Sequence, residues 1–317
     1  MQTLAKKRNY KIRYDRILGA FAIIIIIIIL LITGCSKRNK TKKENTNTTE
    51  NISFSIDDAD VNQAYMNVSI ETRKLHAGNL ILVNEKNPCL FDTQAVEDGT
   101  STEINFVTIK SMLDAKNTSV KPYTASDWEV GLDRETAVAM DNWFTAFYQE
   151  TGLNDLRMIG GYKPESADLD FQTGRTITIG IFPEIGSSYA YKPEGNYAWL
   201  QEHAQEYGFI LRYPENKEIY FDETITERRT ATFRYVGIPS AIYMTQKNIC
   251  LEEFLEEIKE YTLENMLMIT NADKTYHMYY VPANMNDAVT TFRIPDDRIY
   301  YEVSGNNIDG FIVTIFQ

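Results

Sequence analysis

The sequence predicts an α+β fold, because strand-like and helix-like segments alternate along it in no fixed order and a series of β-like runs, broken by Pro, Asn and Gly, closes it. Its 317 residues are 44% hydrophobic and 12% aromatic, enough for one large domain or two modest ones with a substantial core.

The first element is an uncharged run over residues 18–33 containing seven consecutive isoleucines, Ile23 to Ile29. As a helix, sixteen residues rise about 24 Å, short of the ~30 Å hydrocarbon core. That length suits the apolar part of a signal peptide, and Lys6, Lys7, Arg8, Lys11, Arg13 and Arg16 before it suit a cytoplasmic amino terminus. The run ends in Leu31-Ile32-Thr33-Gly34-Cys35, which resembles the bacterial lipobox and implies lipidation of Cys35 after cleavage. The alternative is an uncleaved helix. Both readings put the rest of the chain at the outer face of the cell membrane. Residues 1–34 are thus expected to be a signal peptide or anchor. Residues 36–50 hold no apolar side chain, and residues 35–62 are expected to form a flexible tether.

Beyond the tether, the apolar run Leu80 to Val83 between Asn79 and Asn84 reads as a buried strand, and Ile104 to Ile109 as another. Asp133 is placed to cap a helix in which Ala137, Met140, Phe144 and Phe147 recur at helical spacing before Gly152. Met158-Ile159 leads into a turn, and Thr176 to Phe182 carries β-branched residues in alternation. A helix is predicted from Asn196 to Tyr207, strands over Phe209 to Tyr213 and Phe233 to Val236, and an amphipathic helix from Leu251 to Tyr261. After Asn271 the runs Tyr276 to Val281, Val289 to Ile294 and Phe311 to Phe316 predict a small antiparallel β appendage. The domain division expected is 63–262 and 263–317.

Composition excludes several functions. The net charge is −12 although the amino-terminal segment is basic, so the remainder is more acidic than the total and would repel phosphate backbones. No nucleic acid partner is expected. Cys35, Cys89 and Cys250 and the three histidines, His76, His203 and His277, have no zinc-finger or CxxC spacing. Cys89 and Cys250 are readable either as a disulfide or as two buried thiols. No Gly-rich phosphate loop or nucleophile motif is present.

The middle third carries Gly161-Tyr162-Lys163, Gln172-Thr173-Gly174, Tyr197-Ala198-Trp199-Leu200, Tyr207 to Pro214 and Phe233-Arg234-Tyr235-Val236-Gly237. In order and character these resemble the VanY-type D-alanyl-D-alanine carboxypeptidases, zinc enzymes that trim the peptidoglycan stem peptide. The resemblance spans about residues 65–317. It implies a mixed, mostly antiparallel sheet with flanking helices.

Chemistry in that family needs a His and an Asp with six residues between them, then a Glu as general base and a final His. That set leaves one zinc position open for water and a carboxylate to take its proton. Here the four matching positions are Phe171, Thr178, Arg229 and Thr232. A fixed positive charge at Arg229 opposes a metal cation at short range. Lys163 stands where the family has a substrate-holding Arg, keeping charge but losing the bidentate fork.

The resemblance therefore implies a degenerate member with no catalytic residue and no cofactor. Lys163, Gln172, Arg229 and Arg234 are its expected ligand-binding residues, and a peptidoglycan stem peptide or a cell-envelope protein its expected partner. The alternatives are a divergent, active D,D- or L,D-carboxypeptidase that holds zinc through other ligands, and a structural partner protein with a vestigial cleft.

Overall fold

The computed structural model describes residues 65–90, 95–96, 101, 104–116, 118–126, 129–215, 217, 230–295 and 300–317. The anchor, Cys35, the tether and Arg229 lie outside them. No helix among the described residues is long and apolar enough to cross a membrane.

The described residues open with β1 (Tyr65–Glu71), β2 (Phe106–Thr108), α1 (Ile109–Ala115), β3 (Thr124–Ala125), β4 (Gly131–Asp133) and α2 (Arg134–Thr151). It continues through β5 (Leu156–Gly160), β6 (Thr176–Ile181), β7 (Tyr189–Ala190), α3 (Ala198–His203), β8 (Phe209–Leu211) and β9 (Thr232–Tyr235). Next come α4 (Ile238–Lys247) and α5 (Leu251–Glu257). Then follow β10 (Leu267–Asn271), β11 (Lys274–Pro282), β12 (Val289–Pro295), β13 (Tyr300–Gly305) and β14 (Gly310–Phe316). This is an α+β fold.

The central sheet runs β3-β5-β6-β9-β8, with β7 added to β6. Among its described strands only the β3–β5 pair is parallel. Every residue of β6 is buried, so the strand lies in the middle of the core rather than at a half-wet face. Helix α2 covers the sheet. Its Asp133 cap accepts from the Glu135 amide, and Gly152 ends it at φ 74°. Its Trp143 is fully buried, stacked on Phe209 with ring centroids 5.0 Å apart and edge-on to Phe233 at 5.1 Å.

The carboxy-terminal strands form an antiparallel sheet, β10-β11-β14-β13. The fifth strand, β12, pairs instead with β1, from Tyr65↔Pro295 to Glu71↔Val289. Residues 65–71 therefore belong to the appendage, and residues 60–317 form one compact unit.

Two sequence expectations are corrected. Leu80 to Val83 is buried but is not a strand. Its backbone is satisfied mostly by side chains from far along the chain: the Leu80 amide by Ser304 Oγ, the Ile81 carbonyl by Arg234 and the Leu82 carbonyl by Asn307. The helix expected over 196–207 is a 3₁₀ turn, α3 and a second 3₁₀ turn in series. Cys89 and Cys250 are free thiols, and Cys250 is buried at the start of α5.

Candidate functional site

Three of the four sequence-predicted chemical positions come together on neighbouring elements. Thr178 in β6 and Thr232 in β9 are direct partners across the antiparallel ladder, with their Oγ1 atoms 3.4 Å apart. Both are buried. Phe171 belongs to the 3₁₀ turn Leu169–Thr173 that feeds β6. A β-carbon placed on Gly160 would lie 3.1 Å from Thr178 Oγ1 and 3.4 Å from Phe171 Cε1, so ring and hydroxyl close over the same glycine.

A phenyl ring and two neutral hydroxyls do not fit zinc, which takes imidazole, thiolate or carboxylate ligands. Among the described residues no three His, Cys, Asp or Glu side chains are grouped so as to hold a metal ion. The nearby acids are engaged elsewhere. Asp168 caps the 3₁₀ turn and accepts from Tyr213 Oη at 2.7 and 2.6 Å. Burial and the neighbouring Asp170 charge push its carboxyl above the usual range. His203 stacks on Trp199 and bonds Glu206, as a surface helix residue does.

Arg229 lies outside the described residues, and the other three expected ligand-binding residues do not form one patch. Lys163 is exposed, and its amide bonds the Phe171 carbonyl at 3.3 Å, which keeps it beside the site. Gln172 is half-buried, its carbonyl 3.9 Å from Cys89 Sγ. Arg234 is corrected: it is 0% exposed and belongs to the core. Its Nη1 bonds Asp170 Oδ1 at 3.0 Å and Thr173 Oγ1 at 2.9 Å, its Nη2 bonds the Asn79 and Ile81 carbonyls, and its Nε bonds the Tyr235 carbonyl. All five N–H donors are used, so none remains for a ligand.

Asp170 is the hub of this network. It also meets Arg212 Nε at 3.2 Å and accepts from Thr176, and Arg212 forks onto Glu252 at 3.2 and 2.9 Å. Burial alone would push the Asp170 carboxyl up; Arg234 and Arg212 outweigh it and hold the carboxyl below its ordinary range. The network fixes the turn that carries Phe171 against the strands that carry Thr178 and Thr232.

The chain is 35% identical over 172 residues to a D-alanyl-D-alanine carboxypeptidase of Enterococcus faecium, covering 54% of this chain and 50% of that protein. Its relatives are D-alanyl-D-alanine carboxypeptidases. A putative carboxypeptidase, YodJ of Bacillus subtilis, is 28% identical over 155 residues, covering 48% of this chain and 52% of the relative. The chain thus spans about half the length of the curated relatives it matches. No family model matches it. The fold is that of the vancomycin-resistance D,D-dipeptidase VanXYg, solved with a D-Ala-D-Ala phosphinate analogue. The match has TM-score 0.58 and 24% identity over 80% of this chain and 100% of that one.

Two clefts lie away from the Phe171–Thr178–Thr232 cluster. One of about 620 Å³ runs along α2 past Val138, Ala139 and Tyr207. A second, of about 210 Å³, lies where the core meets the carboxy-terminal sheet. Its Arg175, Glu135 and Glu302 were not singled out from sequence. The available signal was a charge, Arg175, at the entrance of an otherwise apolar strand.

Proposed function

We propose that this chain is a membrane-anchored, extracytoplasmic D-alanyl-D-alanine carboxypeptidase-like protein that binds a peptidoglycan stem peptide without hydrolysing it through zinc. The observation that carries the reading is the meeting of Phe171, Thr178 and Thr232, which supplies neither imidazole nor carboxylate at positions kept in register. The relatives' carboxypeptidase names and the VanXYg complex with a D-Ala-D-Ala analogue support the ligand class. Lys163, exposed beside Phe171, is the cation offered to the peptide carboxylate, and Arg229 is its sequence-predicted companion. Residues 1–34 supply the anchor, through Cys35 or through an uncleaved helix.

Calorimetric titration with a stem pentapeptide and tetrapeptide tests this reading. Saturable binding is expected, weakened roughly tenfold by Arg229→Ala or Lys163→Ala, because a charge-assisted hydrogen bond contributes about 1.5–3 kcal/mol. Absence of binding by the wild type would shift the assignment to a cell-envelope protein partner. Release of D-alanine that a chelator abolishes would make the chain a divergent active carboxypeptidase.

A further inference from the structure

The pocket of about 210 Å³ contains a cation and two anions that are held apart. Arg175 lines it and is only 4% exposed. Its Nε bonds Asn79 Oδ1 at 3.1 Å and its Nη1 bonds the Thr173 carbonyl at 2.8 Å. Its Nη2 has no hydrogen-bond partner among the described residues, and no carboxylate among them forms an ion pair with it. Buried charges are ordinarily paired.

Asn79 is the spacer. While its Oδ1 accepts from Arg175, its Nδ2 donates to Glu135 Oε1 at 3.1 Å, so one side-chain amide separates guanidinium from carboxylate. Tyr235 Oη holds the same Glu135 oxygen at 2.8 Å. Glu302 stands at the rim on β13, its Oε1 taken by Tyr300 Oη at 2.6 Å. The Oε2 atoms of both glutamates have no hydrogen bond among the described residues. Glu302 is exposed on β13, yet the loss of water around its carboxyl at the pocket rim pushes it up and the charge of Glu135 adds to that, against the Tyr300 bond, which lowers it. The two acids therefore repel each other across the opening.

The inner wall offers further donors. Ser240 and Thr314 are 2% and 8% exposed, and neither hydroxyl has a hydrogen-bond partner among the described residues. Thr314 is the ladder partner of Glu302 and so shares its side of the sheet. Helix α4 begins at this wall with Gly237, and no side chain caps it. Its Ile238 and Ser240 amides, with Pro239 between them offering none, and the helix dipole favour an anion there.

We propose that this pocket binds a small zwitterion of the free α-amino-acid class. The carboxylate lies on Arg175, Ser240 and the start of α4, and the ammonium lies between Glu135 and Glu302. The volume is below the roughly 300–1,000 Å³ of sites for drug-sized ligands, which suits a single amino acid. The site is separate from the Phe171–Thr178–Thr232 cluster and does not rest on the function proposed above.

The test is calorimetric titration of the full chain in detergent with glycine, D-alanine and L-alanine, and with acetate and methylammonium as half-ligands. Saturable binding of at least one amino acid is expected, about tenfold or more tighter than either half-ligand, since each half loses one charge-assisted contact. Glu302→Gln, a rim change that leaves the core intact, should weaken amino-acid binding about fivefold or more and leave acetate unchanged. Arg175→Gln should abolish binding; should that variant not fold, Ser240→Val, which takes away a hydroxyl from the inner wall, supplies the inner-wall test. No binding of any of the three amino acids overturns the proposal. So does acetate binding as tightly as the amino acids, or a Glu302→Gln variant that binds them unchanged.

Discussion

Arg234 and Asp170 are locked together inside the fold, Nη1 to Oδ1 at 3.0 Å, with neither side chain more than 2% exposed. Arg212 closes on the same carboxylate from the other oxygen. Removing the acid would leave two guanidinium groups in the core without their shared anion. Asp170→Asn is therefore expected to lose about 3–5 kcal/mol of stability, the usual cost of breaking a buried pair from one side. Urea unfolding monitored by Trp fluorescence measures it. A loss below about 1 kcal/mol would mean that the arginines find other partners.

The same carboxylate predicts a pH dependence. Its folded-state pKa is depressed, so its stabilisation is present above the unfolded value, about 3.9 for Asp, and disappears as pH falls through the lower folded value. Below about pH 4 the wild type should lose stability more steeply than Asp170→Asn. Parallel acid limbs for the two proteins would remove Asp170 from the account.

Gly305 sets how closely the carboxy-terminal sheet approaches the segment after β1. A β-carbon there would sit 2.1 Å from the Leu75 carbonyl oxygen, and that neighbour is backbone. Gly305→Ala should cost at least the ~1–3 kcal/mol typical of overpacking. The thermal midpoint of the full chain reads it, and an unchanged midpoint would show that the approach can relax freely.

The anchor gives a mass prediction. If Cys35 is lipidated after cleavage, Cys35→Ala should accumulate as a heavier precursor that is still membrane-bound through residues 18–34. Identical masses for the two forms would leave the uncleaved helix.

How legible these features were depended on where their physical causes lie along the chain. Helix α2 was readable because Asp133, the apolar stripe and Gly152 are all local. So was the nearness of Phe171, Thr178 and Thr232, since they sit in segments whose flanks resemble the carboxypeptidases. Helix α4 was missed because its buried residues, Pro239 to Met244, run consecutively rather than at intervals of three and four. Residues 80–83 read as a strand because nothing local announces that Ser304, Asn307 and Arg234 satisfy their backbone. Arg234 reads as a ligand-surface charge for the same reason: its partner Asp170 lies 64 residues away. A charge is read as solvated until a partner is seen.

The most direct test of the central claim is zinc content and D-alanine release, measured together on the purified full chain supplied with excess zinc and then dialysed. Phe171, Thr178 and Thr232 predict no stoichiometric zinc and no release of D-alanine from a stem pentapeptide, with or without chelator. One zinc per chain together with chelator-sensitive release of D-alanine would contradict it.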